Sequence, residues 1–283
     1  MRATKSWGDA RLLIVTADDA GLCHSVNQAV IEALEEGLVT TASVMAVTPW
    51  FAEIAEYARG RPDADLGVHL TFTCEWRSYR WGPVAGGSAV PGLCAPDGAM
   101  WPTTEELQAH AQPEEVELEG RAQIERCRRS GLSLTHIDSH MHALFYDPWF
   151  RKVLADLAAD CDLPIRMLPK PVLRDLQAEE FREAVRTRGI LFPDDLILPP
   201  DDGAVADFWR DSLAQLHFGL TEAFVHVGLG GPELLTITDG DDRRLELDLF
   251  GPCSPLSDVV RAHGITLVGY RTLRDLQRVT SSR

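Results

Sequence analysis

The stretch from Arg11 to Gly21 limits the fold more than any other part of this chain. Leu12-Leu13-Ile14-Val15 is a short apolar, β-branched run of the kind that forms a strand buried on both faces. It exits into Asp18-Asp19 and then Ala20-Gly21. Open and barrel α/β folds place their chemistry at the carboxyl ends of such strands. Val26, Ala29, Val30, Ala33 and Leu34 then give a helical stripe, with Ser25 placed to cap its start and Gly37 to end it.

The alternation continues. Strands are predicted at 40–47, 66–72, 134–139, 164–168, 223–227 and 265–268. Helices are predicted at 49–59, 114–130, 148–160, 178–188, 205–216 and 254–263, and Asp239–Arg244 reads as a charged turn or loop. Six or seven βα units in one run predict a single barrel-like α/β domain over residues 1–283. Residues 74–102 interrupt the pattern with Gly, Pro and Trp (Trp76, Trp81, Trp101) and no period. Their aromatics predict an ordered, functional loop.

The formal charge of −16 argues against nucleic acid or an anionic membrane surface as partner, and suits a neutral or cationic small molecule. The six cysteines are scattered without C-x-x-C spacing, which reads as reduced thiols in a cytoplasm. No apolar h-region opens the sequence, and no apolar run approaches the roughly 20 residues of a membrane helix. A cytoplasmic protein without a membrane span is the expectation.

Taken singly, the ionisable residues at strand ends have plain structural explanations. Asp19 could cap a helix, His69 or His226 could be satisfied core groups, and Arg166 could be an ordinary surface arginine. Taken together they do not. His136, Asp138, His140 and His142 fall at alternate positions, so an extended segment would put all four on one face. Four ionisable groups on a buried face are costly without a cation or hydrogen bonds. Two imidazoles and a carboxylate leave open coordination positions, as a catalytic metal site requires. Adjacent side chains on a strand diverge, so Asp18 and Asp19 need separate roles, one as ligand and one as base toward water, unless a turn intervenes. Arg166 is placed to hold that base ionised.

These segments resemble the YdjC-like carbohydrate deacetylase family, which includes the chitooligosaccharide deacetylases. The matching pieces are Thr16-Ala-Asp-Asp-Ala-Gly21, Asn27, Gly37-Leu-Val-Thr-Thr41, Gly67-Val-His-Leu70, Thr135–His142, Ile165-Arg166 and Val225-His226. The resemblance implies a distorted or incomplete (β/α) barrel and one divalent ion, Mg²⁺ or Zn²⁺, with Mn²⁺ or Co²⁺ also suited. It implies hydrolysis of the acetamide of an N-acetylated amino sugar and, at family level, a homodimer. By motif position Asp18 is the general base and Asp19, His69 and His140 are metal ligands, with His136 the second choice from its segment. His226 is the general acid. The family often has Pro-Gly after that histidine, where this chain has Val227-Gly228. His136, Asp138, Trp76 and Trp81 are the candidate substrate contacts, the indoles as platforms for apolar pyranose faces. The competing readings are another barrel hydrolase, acting on phosphoesters or non-sugar amides, and a non-catalytic sugar-binding relative.

Overall fold

A computed structural model describes residues 8–199, 205–238 and 240–281. Seven parallel strands form one curled sheet: β1 Arg11–Ala20, β2 Thr41–Val44, β3 Leu66–Leu70, β4 Leu134–Ser139, β5 Asp195–Ile197, β6 Gly219–Val225 and β7 Ile265–Leu267. Their order is β4-β3-β2-β1-β6-β5. On the β2 side of β1, β2 pairs the carboxyl half through Thr16 and Ala17, and β7 pairs Arg11–Leu13. The central strand is therefore flanked along its whole length, which explains why Leu13, Ile14, Val15 and Ala17 are all buried.

The barrel does not close with a regular strand. Residues 164–168 were expected to be extended, but only an isolated parallel bridge joins Ile165 to Ile137 of β4. On its other side the Ile165 amide donates to the Leu191 carbonyl at 3.1 Å. Ile165 thus links β4 to Leu191, four residues before β5. This is the distorted, incomplete (β/α) barrel that the resemblance implies, in one domain.

Several boundaries differ from expectation. The helix His24–Glu36 starts from Cys23 without a side-chain cap; Ser25 instead donates to the Gly230 carbonyl at 2.9 Å, while Gly37 does end it. The β6 strand begins at Gly219 and ends at Val225, so His226 lies just beyond it. Helices at Thr104–His110, Lys170–Asp175, Pro232–Ile237 and Tyr270–Ser281, and the short β5, have no counterpart in the sequence reading. The largest correction concerns Asp239–Arg244. Asp239 lies outside the described residues, and 240–244 open a helix, Gly240–Phe250, rather than a turn. Among the described residues no helix is long and apolar enough to cross a membrane.

Candidate metal centre and its cavity

The site begins with a break in β1. The β1–β2 register shifts between Ala17 and Ala20, and Asp19 takes a left-handed φ of 64°. That is the turn which adjacent carboxylates need in order to face the same way. Asp18 and Asp19 are both buried, at 2% and 1% exposure, and both line one cavity of about 250 Å³. Gly21 follows at φ 102°, where a Cβ would lie 3.0 Å from the Met45 carbonyl. Asn27 accepts the Gly21 amide at 2.6 Å and donates to Trp50 and Glu53, which clamps this exit.

Asp19 Oδ1 lies 3.4 Å from His69 Nε2 and 3.4 Å from His140 Nδ1, and the two nitrogens are 3.3 Å apart. Ligands bonded at about 2.0–2.1 Å to a tetrahedral ion sit about 3.3–3.4 Å from one another. Asp19 Oδ1 is also a buried acceptor with no hydrogen-bond partner among the described residues. Both rings are braced from behind. His69 Nδ1 is 2.8 Å from Asp138 Oδ1, and His140 Nε2 is 3.1 Å from each oxygen of Glu75. A carboxylate on the far nitrogen fixes the tautomer and turns the other lone pair inward, the usual outer support of a metal-binding histidine. Glu75, at the start of the irregular segment, was not singled out in the sequence.

Charge supports the same fit. Asp18, Asp19, Asp138 and Glu222 are buried with two guanidiniums, Arg166 and Arg243. With Glu75 and Glu246 beside them, these carboxylates outnumber the two guanidiniums, an excess of negative charge that a divalent ion offsets. Without an ion, protons take its place. Burial opposes a charged His69, but Asp138 and Asp18 outweigh it and raise the ring to about 10. Burial likewise opposes a charged His140, and Glu75 and Asp19 raise it to about 9. The donor set fits a divalent cation that accepts imidazole and carboxylate ligands.

Beneath the triangle, Arg166 forks onto Asp18 at 2.6 and 2.8 Å and also meets Asp138 at 3.1 Å and Glu222 at 2.9 Å. Glu222 accepts from Thr16 at 2.7 Å and from Tyr270 at 2.5 Å. Ser43 donates to Asp138 at 2.6 Å. His136 belongs to this floor, stacked on Tyr270 with centroids 4.0 Å apart. Gly67 makes room for it, since a Cβ there would lie 2.3 Å from the ring. Burial pushes the His136 imidazole below its ordinary range. Neither His136 nor Asp138 lines the cavity, unlike the substrate contacts they were expected to be. The single-face expectation for 136–142 also ends at Ser139. His140–Phe145 is a 3₁₀ segment in which Met141 and His142 are left-handed at φ 52° and 53°.

The opposite wall comes from the end of β6 and the chain beyond it. His226 and Phe224 line the cavity, and burial lowers the His226 imidazole. The helix Gly240–Phe250 delivers Arg243, whose Nη2 donates to Asp19 Oδ2 at 2.6 Å, and Glu246, whose carboxylate accepts the His226 amide. Burial raises Glu246 to about 7. Sequence periodicity passed over this helix because its inward stripe, Arg243, Glu246, Leu247 and Phe250, is half charged.

The segment 74–102 is ordered: the bridge Thr73–Trp101 ties its end back to the residues after β3, and Cys94–Met100 pairs two parts of the segment itself. Trp81 is 4% exposed and its indole donates to the Thr73 carbonyl at 3.0 Å, so it offers no open face. Trp76 is half-buried, edge-on to Trp81 and 6.4 Å from the His140 ring.

The profile of the YdjC-like protein family matches residues 12–255. A carbohydrate deacetylase of Brevibacillus brevis is 37% identical over 154 residues, 54% of this chain and 58% of that protein, so this chain spans under two thirds of it. One from Thermoanaerobacter pseudethanolicus is 25% identical over 93% of this chain and all of its own length. A solved Enterococcus faecalis V583 protein, described as a cellobiose-phosphate cleavage protein, superposes with TM-score 0.81 at 26% identity, over 93% of this chain and 99% of that one. With the barrel, the triangle and its braces in place, the match over most of its length makes this chain a member of the YdjC-like protein family.

Proposed function

We propose that this chain is a metal-dependent carbohydrate deacetylase that hydrolyses the acetamide of an N-acetylated amino sugar to acetate and free amine. The observation that carries the reading is the Asp19–His69–His140 triangle with Asp18 beside it in one cavity. The relatives named carbohydrate deacetylases support the substrate class.

Asp19, His69 and His140 would hold the ion. When bound, a divalent cation polarises the amide carbonyl and acidifies water. Asp18 takes the proton of the attacking water, with its carboxylate held by the two-pronged Arg166 contact. The new C–O bond makes a tetrahedral centre whose developing negative charge favours a protonated His226. His226 takes that proton from solvent and delivers it to the nitrogen as the C–N bond breaks, and the proton left on Asp18 returns to solvent. The cavity, about 250 Å³, is smaller than the roughly 300–1,000 Å³ of drug-sized ligand sites. It suits one sugar's reacting end, with any further ring lying outside near Trp76.

The test is acetate release from N-acetylglucosamine and its short β-linked oligomers, with metal stripped and then Mg²⁺, Zn²⁺, Mn²⁺ or Co²⁺ restored. Metal-dependent acetate release is expected. Release of another acid from other amides, or of phosphate from sugar phosphates, would replace this reading.

A further inference from the structure

Five buried side-chain polar atoms have no hydrogen-bond partner among the described residues: Asp19 Oδ1, His142 Nδ1, Arg243 Nη1, Trp209 Nε1 and Thr238 Oγ1. Three of them belong to residues lining the one cavity. A cation accounts for Asp19 Oδ1. Arg243 Nη1 is different: it is a cationic donor, and no metal can satisfy it.

We propose that Arg243 forms a carboxylate-binding subsite in this cavity, receiving the acyl oxygen of the substrate as it gains charge and then the product carboxylate. This rests on the deacetylase reading. The guanidinium is 8% exposed and its fork is half engaged, with Nη2 on Asp19 Oδ2 at 2.6 Å. A buried donor left unmet costs free energy, and the fork geometry of arginine matches a carboxylate better than a hydroxyl. Because Nη2 occupies Asp19 Oδ2, only Oδ1 remains for the ion, and the free Nη1 is carried on the same planar group. A ligand oxygen at Nη1 would therefore lie close to the metal corner, where the acyl carbon must react.

The backbone holds the group in place. The Gly228 amide donates to the Arg243 carbonyl at 3.0 Å, and a Cβ on Gly228 would lie 3.1 Å from Arg243 Cβ and 2.6 Å from Leu234. Gly228, which this chain keeps after Val227, lets the helix start approach the chain beyond β6 that closely. The neighbouring His142, whose Nδ1 also has no hydrogen-bond partner among the described residues, lines the same space.

The test is titration of the chelator-treated full chain with ¹³C-acetate by NMR. Saturable binding is expected, weakened about 10- to 100-fold in Arg243→Gln, the range for one charge-assisted bond. Arg129→Gln, at an exposed position outside the cavity, should change nothing. In Arg243→Ala, added guanidinium should restore acetate binding, which a merely structural arginine would not allow. If Arg243→Gln does not fold, Arg243→Lys is read instead; it keeps the charge, loses the fork, and should also bind acetate more weakly. No saturable acetate binding in the parent chain, or equal affinity in the variant, overturns the subsite. Arg243-dependent acetate binding without acetate release from any N-acetylated sugar keeps the subsite and rejects the deacetylase reading. Acetate release without such binding does the reverse.

Discussion

The floor of the cavity and its late wall are built on opposite terms. In the floor, strands β1 to β4 and β6 surround Arg166 with Asp18, Asp138 and Glu222, and Thr16, Ser43 and Tyr270 meet these carboxylates in turn. In the wall Arg243, and beside it the 3₁₀ residue His142 that follows β4, each keep a buried polar atom unpartnered among the described residues. A saturated network fixes geometry, because each group is held from several sides. Groups left open are available to a ligand. The contrast separates positioning from recognition within one small volume.

The sharpest way to break that contrast is to remove one floor carboxylate and one ligand. Asp18→Asn should keep the metal, measured by elemental analysis, while turnover falls about 10²- to 10⁴-fold, the usual contribution of general-base catalysis. His140→Ala should lose both metal and turnover. Normal turnover in Asp18→Asn would end its assignment as base.

Next in size is the outer brace. Glu75→Gln should weaken metal binding about 10- to 100-fold, as loss of a partner behind a ligating imidazole generally does. The folded, metal-free protein should keep its secondary structure by circular dichroism. An unchanged metal affinity would show that Glu75 braces nothing.

Protons should then stand in for the ion. With His69 near 10 and His140 near 9, both rings are charged at neutral pH without metal. Their raised values favour folding fully below the unfolded value of about 6.5, and that contribution is lost as pH rises through about 9 to 10. Metal-free melting temperature should therefore fall over this range. Metal binding near pH 7.5 should release about two protons, read from calorimetry in buffers of different ionisation enthalpy. Release of none would break the charge balance argued above.

The smallest expected effect lies at the rim. Trp76→Ala should raise KM for oligomers several-fold with little change in kcat, consistent with an aromatic contact outside the reacting centre. The same change at the buried Trp81 should instead lower the melting temperature.

How much of this could be read in advance follows from where the residues sit. Asp18, Asp19 and His69 stand at the ends of apolar runs and His140 belongs to an alternating ionisable set, so pattern and chemistry point to the same positions. Asp19's inward turn was invisible, because the strand period says that neighbours diverge and only a positive φ overrides it. Arg243 and Glu246 were missed because a helix recognised by its apolar stripe hides when that stripe carries charge. Glu75 was hidden in a segment with no period, and Glu222 fell one residue before the strand expected at 223–227, so no face was assigned to it. Trp81 misled through composition, since an indole in a loop is as ready to fill a core as to meet a ligand.

Asp19, Met141 and His142 are three of six non-glycine residues with positive φ among those described, and all three border the cavity. Each such residue costs about 1–2 kcal/mol relative to ordinary backbone. A library screened for heat resistance alone would thus select changes such as Met141→Gly, which relieves strain at a residue already 39% exposed. Those winners would slacken the 3₁₀ segment that carries His140, so selection for robustness and selection for catalysis would pull this chain in different directions.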